Sequence, residues 1–292
     1  MLELFTTDKY DNKIVLTNGD KEYSLYQLKS LVASEMKYVK LMKKNVVITG
    51  DDNFSFVIQF FASVFCEKDI YLVTDKTRLK DITFDYDIIE GCTSEPLESY
   101  EFTNIDIERP SINFYTSGSS GTPKIIQKSL FNLIREAEDI GNEFQFKNKP
   151  LTVISTTTMC HLFGLTFHLM TSLCNGLIID TQNISYSECV DRENTILVST
   201  PTFLSSIVKF KTPFITPPEY IITAGSKLNE DVFEYLEHDS NIIEIYGSTE
   251  TGVIAYKTHY NGGFKIFPNV KLIERQPNYE IVSDYFYERK TT

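Results

Sequence analysis

Residues 115–124 read YTSGSSGTPK: three serines, two threonines and two glycines, closing on Pro123 and Lys124, directly after the apolar run at 112–114. Glycine lets a backbone approach a ligand closely, and successive N–H groups with hydroxyls among them make a nest for an anion. From the residues alone the segment is a phosphate cradle of unspecified type or a plain surface turn. The P-loop pattern GxxxxGK[ST] needs glycine before the lysine, where Pro123 stands, and Gly118-Ser119-Ser120-Gly121 does not satisfy the kinase pattern GxGxxG. Both of those readings fail on spacing.

Outward from this loop, short apolar runs alternate with helical patterns, which predicts α/β construction on mostly parallel strands. Strands are expected at 45–49, 70–73, 112–115, 151–156, 195–200, 219–223 and 241–246. Helices are expected at 53–66, at 129–144 with Ser129 as N-cap, and at 161–176 with a glycine stop. A further helix follows Asn229 as its cap. From 253 onward the pattern alternates, with hairpin signals at 261–263 and 276–278, so residues 1–252 are expected to form the core and 253–292 an antiparallel β segment of the same domain.

Composition bounds the function. The chain has 292 residues, 42% hydrophobic, enough for a sizeable core. Its net charge of −12 argues against a nucleic-acid surface. The basic run at 36–45 reads as the solvated end of a helix. Five cysteines without a CxxC pair fit a reduced, cytoplasmic protein, and the N-terminus lacks the pattern of a signal peptide. Residues 150–179 carry no Asp, Glu, Lys or Arg, but polar residues interrupt them, so they read as buried core rather than a membrane span.

Ligands of open α/β sheets bind at the carboxyl ends of the strands. Five successive strands are followed there by Gly/Ser/Thr-rich loops: Thr116 to Thr122, Thr156 to His161, Thr200 to Thr202, Ala224 to Ser226, and Gly247 to Gly252, with His161 and Glu250 among them. Together they suggest a site for a polyoxyanion. Taken singly, His161 reads as a satisfied core histidine, Glu250 as a helix-terminal charge, Tyr246 as core on one face and Lys124 as a solvated lysine.

YTSGSSGTPK followed about 130 residues later by YGSTETG resembles the adenylate-forming superfamily, which comprises acyl- and aryl-CoA synthetases, peptide-synthetase adenylation domains and luciferases. HLFG at 161–164, STP at 199–201 and TAGSKL at 223–228 agree with it. CHLFGLTFHLM, VSTPTFL and GSTETGVIAYK are most similar to the short AMP-ligases of aryl-polyene and related fatty-acid-like biosynthetic clusters. The resemblance implies the large N-terminal α/β domain of such an enzyme, with mostly parallel sheets, flanking helices and a small antiparallel appendage.

It implies a two-step reaction as well. A carboxylic acid attacks the α-phosphate of MgATP, releasing pyrophosphate, and the thiol of CoA or of a carrier protein's phosphopantetheine then displaces AMP. Thr116, Ser117, Gly118, Ser119, Ser120, Gly121 and Thr122, with Lys124, would wrap the β,γ-phosphates. Thr249 would bond the α-phosphate and Glu250 would hold Mg²⁺. Ala224, Gly225, Ser226, Tyr246 and Gly247 would line the adenine and acyl site, and His161 would stand between carboxylate and phosphates.

The resemblance also implies parts not found here: a TGD turn binding the ribose, for which Asp284 is a poor substitute, and a C-terminal domain with a catalytic lysine, for which Lys290 lacks a domain. The chain is therefore expected to be the N-terminal domain of a longer ligase, binding better than it turns over. The alternative is a non-catalytic nucleotide- or acyl-adenylate-binding module acting as a regulator or assembly subunit. The apolar residues of 161–173 suggest an aryl or fatty acid, and no Asp stands where an amino acid's ammonium would need pairing.

Overall fold

The computed structural model describes residues 2–50, 52–92, 96–97, 101–116, 124–184, 192–210, 214–275 and 278–286. Sixteen strands fall in them. They are β1 Ile14–Asn18, β2 Lys21–Ser24, β3 Asn45–Ile48, β4 Asp69–Leu72, β5 Asp87–Ile89, β6 Pro110–Thr116, β7 Lys124–Ser129 and β8 Thr152–Ser155, then β9 Ile178–Asn183, β10 Thr195–Ser199, β11 Tyr220–Thr223, β12 Asn241–Ser248, β13 Gly252–Lys257, β14 Lys265–Ile266, β15 Lys271–Arg275 and β16 Asn278–Val282. The helices are α1 Leu2–Thr6, α2 Leu25–Val39, α3 Asn53–Phe65, α4 Leu130–Glu143, α5 Leu162–Gly164, α6 Thr171–Asn175, α7 Pro201–Phe210 and α8 Glu230–Glu237, with a π-helical turn, Leu165–Met170, joining α5 to α6.

Two main sheets result. The larger runs β14-β13-β12-β11-β10-β8-β9-β1-β2, parallel from β12 through β1 and antiparallel at both ends; the smaller runs β5-β3-β4-β6-β7. Strands β10 and β11 are almost unbroken buried apolar runs, as strands covered on both faces must be. Helix α3 shows why the two sheets stay together. It is apolar nearly all round, touches β3 and β4 of the smaller sheet and β9 of the larger, and so lies between them. Its Phe56, Phe60 and Phe61 are fully buried, each stabilising the fold by roughly 1.5–3 kcal/mol.

Three differences from the sequence expectations bear on function. The loop after β6 does not lead into a helix: β7 follows and pairs antiparallel with β6, from Thr116 opposite Lys124 to Pro110 opposite Ser129. That hairpin belongs to the smaller sheet, so four of the five loops, not five, sit on one sheet edge. The GSTETG stretch is likewise a hairpin turn, because β12 runs on to Ser248 and β13 returns from Gly252 within the larger sheet; only β15 and β16 form a sheet of their own.

The caps divide. Ser129 accepts from Asn132 N–H, and the Asn132 side chain accepts from Ser129 N–H, a reciprocal box. Asn229 stands at the N-cap of α8 without a side-chain cap bond, and Glu230 and Asp231 supply the negative charge of the first turn instead.

Candidate active site

A cavity of about 170 Å³ opens where the ends of β11 and β12 meet the start of α5. Ala224, Gly225, Gly247 and Thr249 line it, joined by Ser248 and Gly252. Its apolar wall is Leu162, Phe163, Phe167, Ile245 and Val253. Exposure gives it direction: Gly225 and Gly247 are exposed at the mouth, whereas Glu136, Thr166 and Gly252 are buried at the floor.

Local chemistry explains the mouth. In the Gly247–Gly252 turn, the Ser248 and Thr251 hydroxyls lie 3.1 Å apart, Ser248 N–H donates to Thr251 Oγ1 (3.2 Å), and Thr251 N–H donates to Ser248 Oγ (3.3 Å). The turn thus ties itself together and leaves Thr249 and Glu250 at its tip, Glu250 exposed. A side chain at 247 would collide with the Gly252 carbonyl, so that position requires glycine. Gly225 has φ +98°, a left-handed conformation that L side chains rarely adopt.

Tyr246 is not core on either face. It is 59% exposed, and its ring lies 5.8 Å from that of Phe264, because β12 leaves the protein interior after Ile245. His161 stands at the N-cap of α5, exposed, with no cap bond from its side chain; desolvation by its neighbours lowers its pKa below the usual histidine value. Lys124 and Ser226 are exposed. The predicted residues Ser117 to Thr122 lie outside the described residues, and the structure gives only the backbone pairing of Thr116.

The floor is what sequence reasoning missed. Glu136, on α4, is 1% exposed; Oε1 accepts the Val253 N–H at 2.7 Å and Oε2 the Thr166 hydroxyl at 3.3 Å. Burial raises its pKa, while Lys128 and the two donated bonds pull it back. Lys128, fully buried, donates to the Tyr285 carbonyl at 2.5 Å; burial lowers its pKa, opposed by the charges of Glu136 and Glu250. The only sequence signal was a Glu at a position of α4 in step with the apolar face of Leu133, Ala137 and Ile140.

Among the described residues no cluster of three or more His, Cys, Asp or Glu could hold a metal ion. One exposed carboxylate beside a threonine hydroxyl nevertheless fits Mg²⁺ arriving with ATP, since that ion is usually held by one or two carboxylates plus substrate phosphates and water. A larger cavity, about 320 Å³, lies beside Lys13, Glu138 and Cys174, and includes none of the motif residues. Among the described residues no helix is long and apolar enough to cross a membrane.

This is the geometry of an AMP-binding enzyme: residues 43–277 match the model of that family, and the chain belongs to it. Among curated proteins it is 27% identical over 169 residues to the acyl-CoA synthetase ALT10 of Alternaria alternata, covering 55% of this chain and 30% of that protein. It is 24% identical over 172 residues to the acyl-CoA synthetase FUM10 of Gibberella moniliformis, covering 56% and 31%. The matches thus span about a third of these relatives' length.

Two solved structures show the shared fold. One is o-succinylbenzoate CoA synthetase from Bacillus subtilis, with a TM-score of 0.76 at 16% identity, covering 95% of this chain and 68% of that one. The other is ATP-bound MatB from Rhodopseudomonas palustris, with a TM-score of 0.78 at 15% identity, covering 97% and 70%.

Proposed function

We propose that the chain binds ATP and a hydrophobic carboxylic acid, aryl or short aliphatic, and activates the acid as an acyl-adenylate for transfer to the thiol of CoA or of a carrier-protein phosphopantetheine. The observation that carries this reading is the meeting of Ala224–Gly225 and Gly247–Thr249 over one apolar cavity. An apolar cavity of about 150 Å³ in another protein holds benzene, so about 170 Å³ suits one ring or a short chain. The resemblance of CHLFGLTFHLM and VSTPTFL to the short AMP-ligases of aryl-polyene-type clusters supports the same reading.

In the first step a carboxylate oxygen of the acid bonds to the α-phosphorus while the bond to pyrophosphate breaks. This brings an anion against a polyanion, so positioning and charge stabilisation matter more than proton transfer. Thr249 donates its hydroxyl to the α-phosphate. The loop from Thr116 to Thr122, with Lys124, holds the β,γ-phosphates. Glu250 would hold Mg²⁺, which when bound would neutralise phosphate charge. Tyr246, at the exposed end of β12, stacks on the purine. His161, kept largely neutral by its lowered pKa, donates a hydrogen bond between acid and phosphate without adding a fixed charge. In the second step the thiol sulfur bonds to the acyl carbon and AMP departs.

The test is calorimetric titration of the 292-residue chain with MgATP and with non-hydrolysable acyl- and aryl-sulfamoyl adenosines, beside Glu250→Ala and Thr249→Ala. Binding of one analogue class, weakened about 10- to 100-fold in the variants, is expected, the range for losing a hydrogen bond to a charged group. A folded chain that binds no analogue overturns the proposal.

A further inference from the structure

On β12, Ile245 lines the cavity, so Glu244 before it lies on the opposite face of the sheet, where α8 packs. There it meets Lys257, directly across on β13, with Nζ 3.1 Å from Oε2 and both side chains buried. Neither residue lines the cavity. The surroundings suit an ammonium rather than a neutral amine. Its nitrogen lies 4.9 Å from the centre of the Tyr260 ring, 5.5 Å from that of Phe264 and 5.7 Å from that of Phe233. Ring faces attract a cation within about 6 Å. It also donates to the Tyr260 carbonyl at 3.3 Å.

Each end of this pair reaches the mouth. Glu244 Oε1 accepts the Leu228 N–H at 3.2 Å, which ties down the far end of the loop that carries Ala224 and Gly225. Lys227, in that same loop, lies 5.1 Å from the Tyr260 ring centre. On the other side Phe264, held by the Lys257 ammonium, sets its ring 5.8 Å from that of Tyr246.

We propose that Glu244 and Lys257 are positioning residues for the nucleotide: the pair holds the Tyr246 ring, through Phe264, and the Ala224–Gly225 loop, through Leu228, at one spacing. This rests on the reading of the mouth as the ATP site, with the purine on Tyr246. Burying two charges costs about as much as their attraction returns, so an apolar pair would serve the fold equally well. What the charged pair adds is direction, because one ammonium gathers a carboxylate and three ring faces at a single point. A ring fixed before the ligand arrives loses less freedom on binding, so affinity is gained without a new contact.

Calorimetry with benzoyl-sulfamoyl adenosine on the full chain tests this. The paired substitution Glu244→Gln with Lys257→Met removes both charges and strands neither, and should weaken binding at least about 5-fold. Phe264→Leu cuts the link to Tyr246 at a half-exposed position. It should weaken binding at least about 3-fold while leaving the urea midpoint unchanged, which a merely structural role would not do. Tyr246→Ala should cost about 10-fold, the order expected for losing a ring stacked on a base. Adding Phe264→Leu to it should then change the affinity less than about 2-fold, since the ring that Phe264 serves is already gone.

Native affinity in Phe264→Leu would overturn the proposal, whether or not the paired variant folds. So would single effects that simply multiply in the Tyr246→Ala, Phe264→Leu chain. If the unsubstituted chain fails to bind the compound, the ATP-site reading itself falls, and the positioning role with it.

Discussion

The mouth of the cavity exposes Gly225, Gly247 and Glu250 to solvent, whereas its floor keeps Glu136, Thr166 and Gly252 away from it. The mouth is held by short-range bonds inside one turn, Ser248 to Thr251. The floor is held by bonds between distant parts of the chain: Glu136 to Val253, Lys128 to Tyr285, and Asn132 to the Asp284 carbonyl. Groups that meet a ligand can be replaced with little harm to the fold. Groups that place them cannot, because buried polar partners are left orphaned when one is removed.

The largest expected effect is an acid sensitivity of the helix behind the floor. His168, in the π-helical turn, is fully buried beside the Asp180 carbonyl at 2.8 Å, and burial pushes its pKa down to about 3. The folded pKa lies below the unfolded one, so the contribution is fully present above about pH 6.5 and is lost as pH falls toward 3. At about 1.4 kcal/mol per unit, that amounts to on the order of 4–5 kcal/mol. Urea midpoints between pH 7 and 4 should fall more steeply for the native chain than for His168→Leu, and parallel slopes would remove His168 from the account.

Glu136→Ala comes next, with an expected loss of about 1–3 kcal/mol in denaturant unfolding, because the buried Val253 N–H and Thr166 hydroxyl lose their acceptor. A loss under about 1 kcal/mol would mean that both donors find other partners, and would erase the contrast between floor and mouth.

Gly247→Ala stands between the two regions, because its added methyl meets the Gly252 carbonyl. Overpacking of this kind costs about 1–3 kcal/mol, and analogue binding should weaken with it. Smallest is the effect of Glu250→Ala on stability, expected within about 0.5 kcal/mol, since the side chain is exposed. A large destabilisation there would make Glu250 a structural partner of Lys128 rather than a ligand for a substrate-borne ion.

The same contrast governs what could be read from the sequence. The mouth was legible because glycines, hydroxyls and one acid in short runs advertise their chemistry locally, and so were the α/β alternation and the Ser129 cap. The floor was not, because Glu136 gains its meaning from Val253, 117 residues away, and Lys128 from Tyr285, 157 residues away. The hairpin after β6 was missed for a related reason: KIIQKS lacks the alternation of a strand with one polar face, and its pairing with β6 is set by tertiary context. Tyr246 was misjudged because the periodicity of NIIEIY gives no sign of where the strand leaves the core.

The most direct measurement is a crystal structure of the chain with benzoyl-sulfamoyl adenosine. The benzoyl ring should lie in the cavity against Phe167 and Thr166, with the sulfamate within hydrogen-bond distance of Thr249 and the purine on Tyr246. A ligand seated instead in the cavity beside Lys13 and Cys174, or bound away from Gly247 and Thr249, would contradict it.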